Sequence, residues 1–280
     1  MKRLDRRALF ASGAAAALLA ATGGAFAQTP RRGGALRIAV PRDGGLLTQV
    51  AYGSALDQLT EIGPDGILRP ELAVTWNSDE DARVWTFDLR DDAVFHSGEA
   101  LTAQDVAASL SRHFETGFLQ DVSCEGQNRV SVTLHEGNPQ FPFMLAQSAC
   151  WITPQGDLPT DLSALNGTGL YHMERAQDGR SFRAQRVAEH YKDGIAGWAD
   201  TVEVVVIPDA TVRAEALRDG YVDVVALPDA DGLRRRGTFL YHPDEAEMAL
   251  AAAASIGMPD RIAQNAALDD GRIAERWWVV

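Results

Sequence analysis

Few side chains in this chain have the types and spacing that chemistry requires. His96 stands beside Ser97, with Ser109 about one helix further on. A serine nucleophile needs a histidine within hydrogen-bond reach and a third group to orient that histidine. His96 lies in a loop with no nucleophile or base at such a spacing, so the reading is a non-catalytic protein. A hydrolase using His96 with Ser97 or Ser109 is the rival. Cys124, Cys150 and His135 match no standard zinc spacing, and neither a metal site nor a cofactor is expected. A disulfide between Cys124 and Cys150 is expected instead, closing a loop of about 25 residues and adding about 3 kcal/mol on the chain-entropy model. Two free thiols are the alternative. The acidic residues 79–81 and 91–92 read as solvated loop charges.

The elements that position these residues follow from periodicity. "ALRIAV" (35–40) is a short apolar strand, and "TQVAYGSALDQLT" a short helix interrupted by Gly53. Pro70 is expected to start a helical turn. "AVTWNSDEDARVWTFDLR" is a hairpin with Trp85, Phe87 and Leu89 alternating on one face. Thr102 precedes Asp105 by three residues, a variant capping box that opens a helix carrying Val106 and Leu110. "RVSVTLH" (129–135) alternates as a strand, "FPFMLAQS" is a buried helical turn, and "NGTGLYHM" opens a strand paired with "RSFRAQRV". In "TVEVVVIPDATVRAEALRDGYVDVVALP" (201–228), Asp209 caps a helix between two apolar strands. That is a βαβ crossover, and it requires parallel pairing.

The ends and the composition set the compartment. Lys2, Arg3, Arg6 and Arg7 precede an alanine-rich stretch, and Ala25-Phe26-Ala27 offers a signal-peptidase site after Ala27. Residues 1–27 are therefore expected to be a signal peptide of the twin-arginine type, with an ordinary Sec signal as alternative. Its removal takes away four positive charges and one negative, shifting the net charge from −13 to −16. Such an acidic protein is not expected to bind nucleic acid. Hydrophobic residues make up 46% of the chain, enough for a real core, so disorder is not expected. The mature protein is expected to be periplasmic and not membrane-spanning.

The segment "GPDGILRPELAVTWNSDEDARVWTFDLRDDAVFHSGEALTAQDVAASLSR" resembles the hallmark region of the extracellular solute-binding proteins of family 5. These are the peptide, dipeptide, opine and nickel receptors of ABC importers. The resemblance is carried by Gly66, Pro70, Leu72-Ala73, Trp76, Phe87, Leu89-Arg90, Phe95-His96, Gly98, Thr102-Ala103 and Asp105-Val106. "GTGLYHM" is similar to a family strand that usually has proline where Leu170 stands. The segment 207–228 is similar to a family helix and the strand after it. In this light "DDAVFHSGEALTAQDVAASLSR" is scaffold: Phe95 packs, Gly98 turns, and Thr102 and Asp105 cap.

The resemblance implies an α/β fold with a mixed sheet, like a type II periplasmic-binding-protein lobe carrying an inserted α+β subdomain. It places the core lobe at 28–40 and 160–228, the insertion at 41–159, and a tail, 229–280, packed on the lobe. Only about 50 residues follow the βαβ unit, so most of a second lobe is expected to be missing. The implied role is that of a substrate-binding component for oligopeptides or a related small solute, working with a cognate ABC permease. A single-lobe accessory or protein-interaction module that has lost solute binding is the alternative. Tyr52, Phe118 and Trp151, in or beside loops, are the candidate ligand contacts, because aromatic loop residues suit a platform for peptide or apolar solute. Plain packing is the alternative for each. Ile262, Ala266, Ile273 and Trp277 recur at near-helical intervals, so a covering helix over 262–276 is expected, with Trp277 and Trp278 buried.

Overall fold

The computed structural model describes residues 30–115, 117–147, 149–228, 239–243, 249–259 and 271–280. The proposed signal peptide, and most of the 262–276 segment, lie outside the described residues. Strand β1 (Ala35–Val40) is followed by helix α1 (Leu46–Ala55) and the hairpin β2 (Thr60–Ile62)–β3 (Leu68–Pro70). Strands β4 (Ala73–Ser78), β5 (Val84–Leu89), β6 (Leu119–Cys124) and β7 (Arg129–Leu134) form an antiparallel sheet in the order β4-β5-β7-β6. Trp85, Phe87 and Leu89 alternate into its core, as a half-buried strand requires. Pro70 ends β3 rather than opening a helix, because residues 68–70 pair with Thr60–Ile62.

Helix α2 (Ala103–His113) packs on this sheet, and Thr102 and Asp105 form a reciprocal capping box at its start. The short helix α3 (Phe141–Met144) supplies Phe141 to the same core.

A seven-stranded mixed sheet forms the second body. It contains β8 (Tyr171–Gln177), β9 (Ser181–Arg186), β10 (Thr201–Val206), β11 (Val224–Leu227), β12 (Phe239–Pro243) and β13 (Ala249–Ala253), in the order β12-β13-β11-β1-β10-β9-β8. The crossover from β10 through α4 (Ala210–Arg218) to β11 is present, with Asp209 accepting from the N–H groups of Thr211 and Val212. The two crossover strands do not pair with each other. Each lies parallel to β1, which sits between them. The fold is therefore α/β with a mixed sheet, as expected.

Two further sequence expectations need correction. The sequence grouped residues 41–55 with the insertion, but α1 packs its Leu46, Leu47, Val50 and Ala51 into the core of the seven-stranded sheet. The core of the four-stranded sheet starts at Leu59 and ends at Ile152. The expected Cys124–Cys150 bridge is also absent, and both thiols are free. Cys124 ends β6 opposite Val130, whereas the buried Cys150 follows α3 and its Sγ donates to the Met144 carbonyl oxygen.

The chain's end returns to the core of the seven-stranded sheet. A four-residue helix α5 (Ile273–Arg276) leads into β15 (Trp278–Val279), which pairs with β14 (Ile256–Gly257). Trp277 is fully buried and Trp278 is 6% exposed. This docking depends on backbone contact at two glycines. A Cβ on Gly53 would lie 2.4 Å from the Gly271 carbonyl oxygen, and a Cβ on Gly271 2.4 Å from that of Gln49.

Candidate functional site

Where α1, the β2–β3 hairpin, the 190–198 loop and α5 meet, seven charged side chains converge. Asp57 follows directly on α1, Glu61 lies on β2, and Glu71 follows β3. Lys192 comes from the loop after β9, Arg272 is the N-cap residue just before α5, and Glu275 and Arg276 lie on α5. Asp57 and Glu71 have no exposed surface, and the side chains of Glu275, Arg272, Lys192 and Arg276 keep between 1% and 7%. Glu61, at 18%, is the member most open to solvent.

The contacts are those that buried charges need if they are to survive desolvation. The Lys192 ammonium donates to Glu71, to Asp57 at 3.3 Å and to Glu275 at 3.2 Å. Arg272 grips Glu71 with both Nη atoms, at 2.7 and 2.9 Å, and also reaches Gln58 Oε1 at 2.7 Å. Arg276 donates to Glu61 at 2.9 Å and to the Ile62 carbonyl at 2.8 Å. Asp57 also accepts from the Thr168 hydroxyl. His190 donates through Nε2 to the Thr168 carbonyl and accepts at Nδ1 from the Lys192 backbone N–H, the pattern of a neutral ring. The Arg90 guanidinium stacks 3.6 Å from the centre of the Tyr191 ring beside the cluster.

Burial opposes the ionisation of every member, and neighbouring charges decide the outcome. For Asp57, burial is outweighed by the charges of Lys192 and Arg272, so its carboxyl stays well below the usual carboxylate range. Glu61 is likewise held down to about 2, against its burial, by Lys192, Arg272 and Arg276. Glu71 goes the other way: burial, helped by the charges of Asp57 and Glu61, pushes it up to about 7 despite Arg272 and Lys192. Lys192 is raised because Glu275, Glu71 and Asp57 overcome its desolvation.

Asp57, Glu71 and Glu275 present oxygens within 4.8 Å of one another, a spacing that a metal ion could use. The Lys192 ammonium already bonds all three, and Arg272 bonds two of them. A cation centre made of protein fills the place a metal would take.

One side of the cluster opens on a cleft of about 510 Å³, within the range of small-molecule sites. Glu61, Lys192, Glu275 and Arg276 lie along its floor, and Trp198, Trp278, Met258, Ile195 and Pro64 make an apolar wall. None of these seven charged residues stands out in the sequence, because the partners lie up to about 200 positions apart.

The aromatic candidates are distributed differently. Tyr52 is half-buried against the core of the seven-stranded sheet, its hydroxyl donating to the Pro159 carbonyl. Trp151 is buried in that core at 3% exposure, with the Arg272 guanidinium 5.8 Å from its ring centre. Phe118 belongs to the other core, stacked on Phe114 at 4.8 Å, and lines a smaller cleft of about 250 Å³ with His135 and Asn138. The structure thus gathers Tyr52 and Trp151 into one core and leaves Phe118 apart. His96 is fixed by Nε2 donating to the Gly169 carbonyl, and its backbone N–H donates to that of Gly167.

Comparison with known proteins adds to this geometry. The bacterial extracellular solute-binding proteins, family 5, match residues 68–241. The chain is 27% identical over 187 residues to a probable peptide ABC transporter periplasmic-binding protein of Sinorhizobium fredii, covering 58% of this chain and 35% of that one. It is 27% identical over 207 residues to a nickel-binding periplasmic protein of Escherichia coli, covering 68% and 38% respectively. The chain thus spans little more than a third of the length of these curated relatives. Among solved structures, the periplasmic binding protein AgaA in complex with agropinic acid, from A. tumefaciens, superposes with a TM-score of 0.66 at 23% identity, covering 75% of this chain and 48% of that one. DppA from Helicobacter pylori, in complex with a peptide, gives 0.65 at 20% identity, covering 76% and 51%. These structural likenesses establish a shared fold.

Proposed function

The chain belongs to the bacterial extracellular solute-binding proteins of family 5, and from that membership we propose that it is the periplasmic substrate-binding component of an ABC importer. Its solute is an oligopeptide or a related small molecule, held without chemistry and handed to a cognate permease. The family match over residues 68–241 carries this reading. The geometry supports it: a mostly apolar cleft with a few placed charges suits binding of a small molecule. His96 is committed to the Gly169 carbonyl, which fits a positioning role better than catalysis. Among the described residues no helix is long and apolar enough to cross a membrane.

Tyr52, Phe118 and Trp151 remain the proposed aromatic contacts. Tyr52 and Phe118 keep surface that a solute can touch, whereas Trp151 is buried, with the Arg272 guanidinium 5.8 Å from its ring centre.

A thermal-shift screen of the protein against oligopeptides, opines and nickel chelates tests the reading. A solute present at 100 times its Kd stabilises the native state by about 2.7 kcal/mol, and a rise in melting temperature with at least one class is expected. A chain that melts at the same temperature throughout the screen would be an interaction module without solute binding.

A further inference from the structure

The buried cluster beneath the cleft holds four carboxyl groups and three cations. Asp57, Glu61, Glu71 and Glu275 face three cations, Lys192, Arg272 and Arg276, and the hydrogen bonds of His190 are those of a neutral ring. The cations that reach the cleft are all committed. Arg69 is paired with Asp65 at 2.6 Å, Lys192 is shared by three buried carboxylates, and Arg276 is held by Glu61 and the Ile62 carbonyl. Glu61 is the acid of the cluster that solvent reaches. Its Oε1 accepts from Arg276, and its Oε2 lies 3.9 Å from the Lys192 ammonium, beyond hydrogen-bond distance.

The same cleft is lined by Trp198, Trp278, Met258, Pro64 and the 74%-exposed Ile195. An ionised carboxylate sharing a cleft with indole rings is a combination that recognises organic ammonium groups: the carboxylate supplies charge and hydrogen bonding, the rings cation–π attraction. Trp278 also keeps a buried indole N–H without an acceptor among the described residues. Glu61 stays ionised at any working pH, since its carboxyl is held down to about 2.

We propose that the cleft between the β2–β3 hairpin, the 190–198 loop and β15 binds an organic ammonium group attached to apolar bulk, with Glu61 as its counter-ion and Trp198 and Trp278 as its wall. This deepens the receptor reading and rests on it. The same chemistry is offered by the amino terminus of a peptide and by a free alkylammonium compound.

Calorimetric titration of the full chain with trialanine, N-acetyl-trialanine and benzyltrimethylammonium, alongside an opine and nickel–histidine, tests the proposal. Saturable binding of trialanine or benzyltrimethylammonium is expected, with the acetylated peptide at least about tenfold weaker than trialanine. Tighter binding of trialanine identifies a peptide terminus as the source, and tighter binding of benzyltrimethylammonium a free alkylammonium. Glu61→Gln should weaken either cation by about tenfold. Trp198→Leu, which leaves the ionic cluster intact, should weaken it several-fold. If solutes bind equally well whether or not they carry an ammonium group, and regardless of both substitutions, the cation site is overturned and the receptor reading stands. If nothing in the panel binds the folded protein, both fall.

Discussion

Replacing Lys192 by methionine removes the hub of the buried cluster while keeping the length and most of the apolar bulk of the side chain. In the native protein the ammonium bonds Asp57, Glu71 and Glu275 together, and all three have at most 1% of their side-chain surface exposed. Without it, four carboxylates face only Arg272 and Arg276. Breaking a buried ion pair by removing one partner costs about 3–5 kcal/mol, because the remaining charge stays desolvated and unpaired. For a protein of this size, each kcal/mol shifts the midpoint by about 2–4 °C, so the variant should melt about 6–20 °C lower at pH 8. The penalty should shrink as pH falls towards 5, because the stranded carboxyls can then take up protons and shed their charge. Urea denaturation of both proteins at pH 5 and pH 8 measures this directly. A loss below about 1 kcal/mol at pH 8, or a loss that does not change with pH, would refute the claim that Lys192 neutralises buried acids.

Further outcomes follow from the same contacts. Glu71, pushed up to about 7, holds its proton more tightly in the native than in the unfolded state, so its contribution is lost as pH rises from about 4.5 to 7. Glu61 and Asp57 are depressed, so theirs is lost as pH falls below about 4. Together these three groups place their stability maximum near pH 4.5–5, readable from melting temperature against pH, and a profile from them that rises steadily to neutrality would contradict it. Gly53→Ala should cost about 1–3 kcal/mol, since its methyl would meet the Gly271 carbonyl, and unchanged stability would show that α5 can move away. Unfolding the unreduced protein in iodoacetamide should give two adducts by mass spectrometry, at Cys124 and Cys150. In the native protein Cys150 should label slowly, because burial pushes its thiol up to about 12. Thr102→Ala should cost about 1 kcal/mol in chemical denaturation through loss of the cap on α2.

Local features were the ones legible in the sequence. The capping box at Thr102 and Asp105, the alternation of Trp85, Phe87 and Leu89, and the Asp209 cap inside the crossover are set by neighbours within a few residues. The alanine run at 249–253 gave no such signal, since alanine favours helix over strand. It becomes β13 because pairing on both sides, with β11 and β12, outweighs that preference. The position of α1 was misread because its apolar positions do not say which of two cores they join, and contact with Gly271 settles it. The ionic cluster was invisible for a related reason. Glu71 and Arg272 are 201 positions apart, and only the folded backbone brings them to 2.7 Å. Charged residues read one at a time are expected on the surface. A faint trace existed in "GRIAERWW", where three charges are set among apolar residues that must be buried.

The central claim is that this chain holds a small solute without transforming it. Native mass spectrometry of the folded protein, mixed with the solute that gives the largest thermal shift, tests it most directly. The account predicts a saturable complex of one solute per chain, with the solute recovered at unchanged mass. A folded protein that forms no such complex, or one that returns a cleaved product, would contradict it.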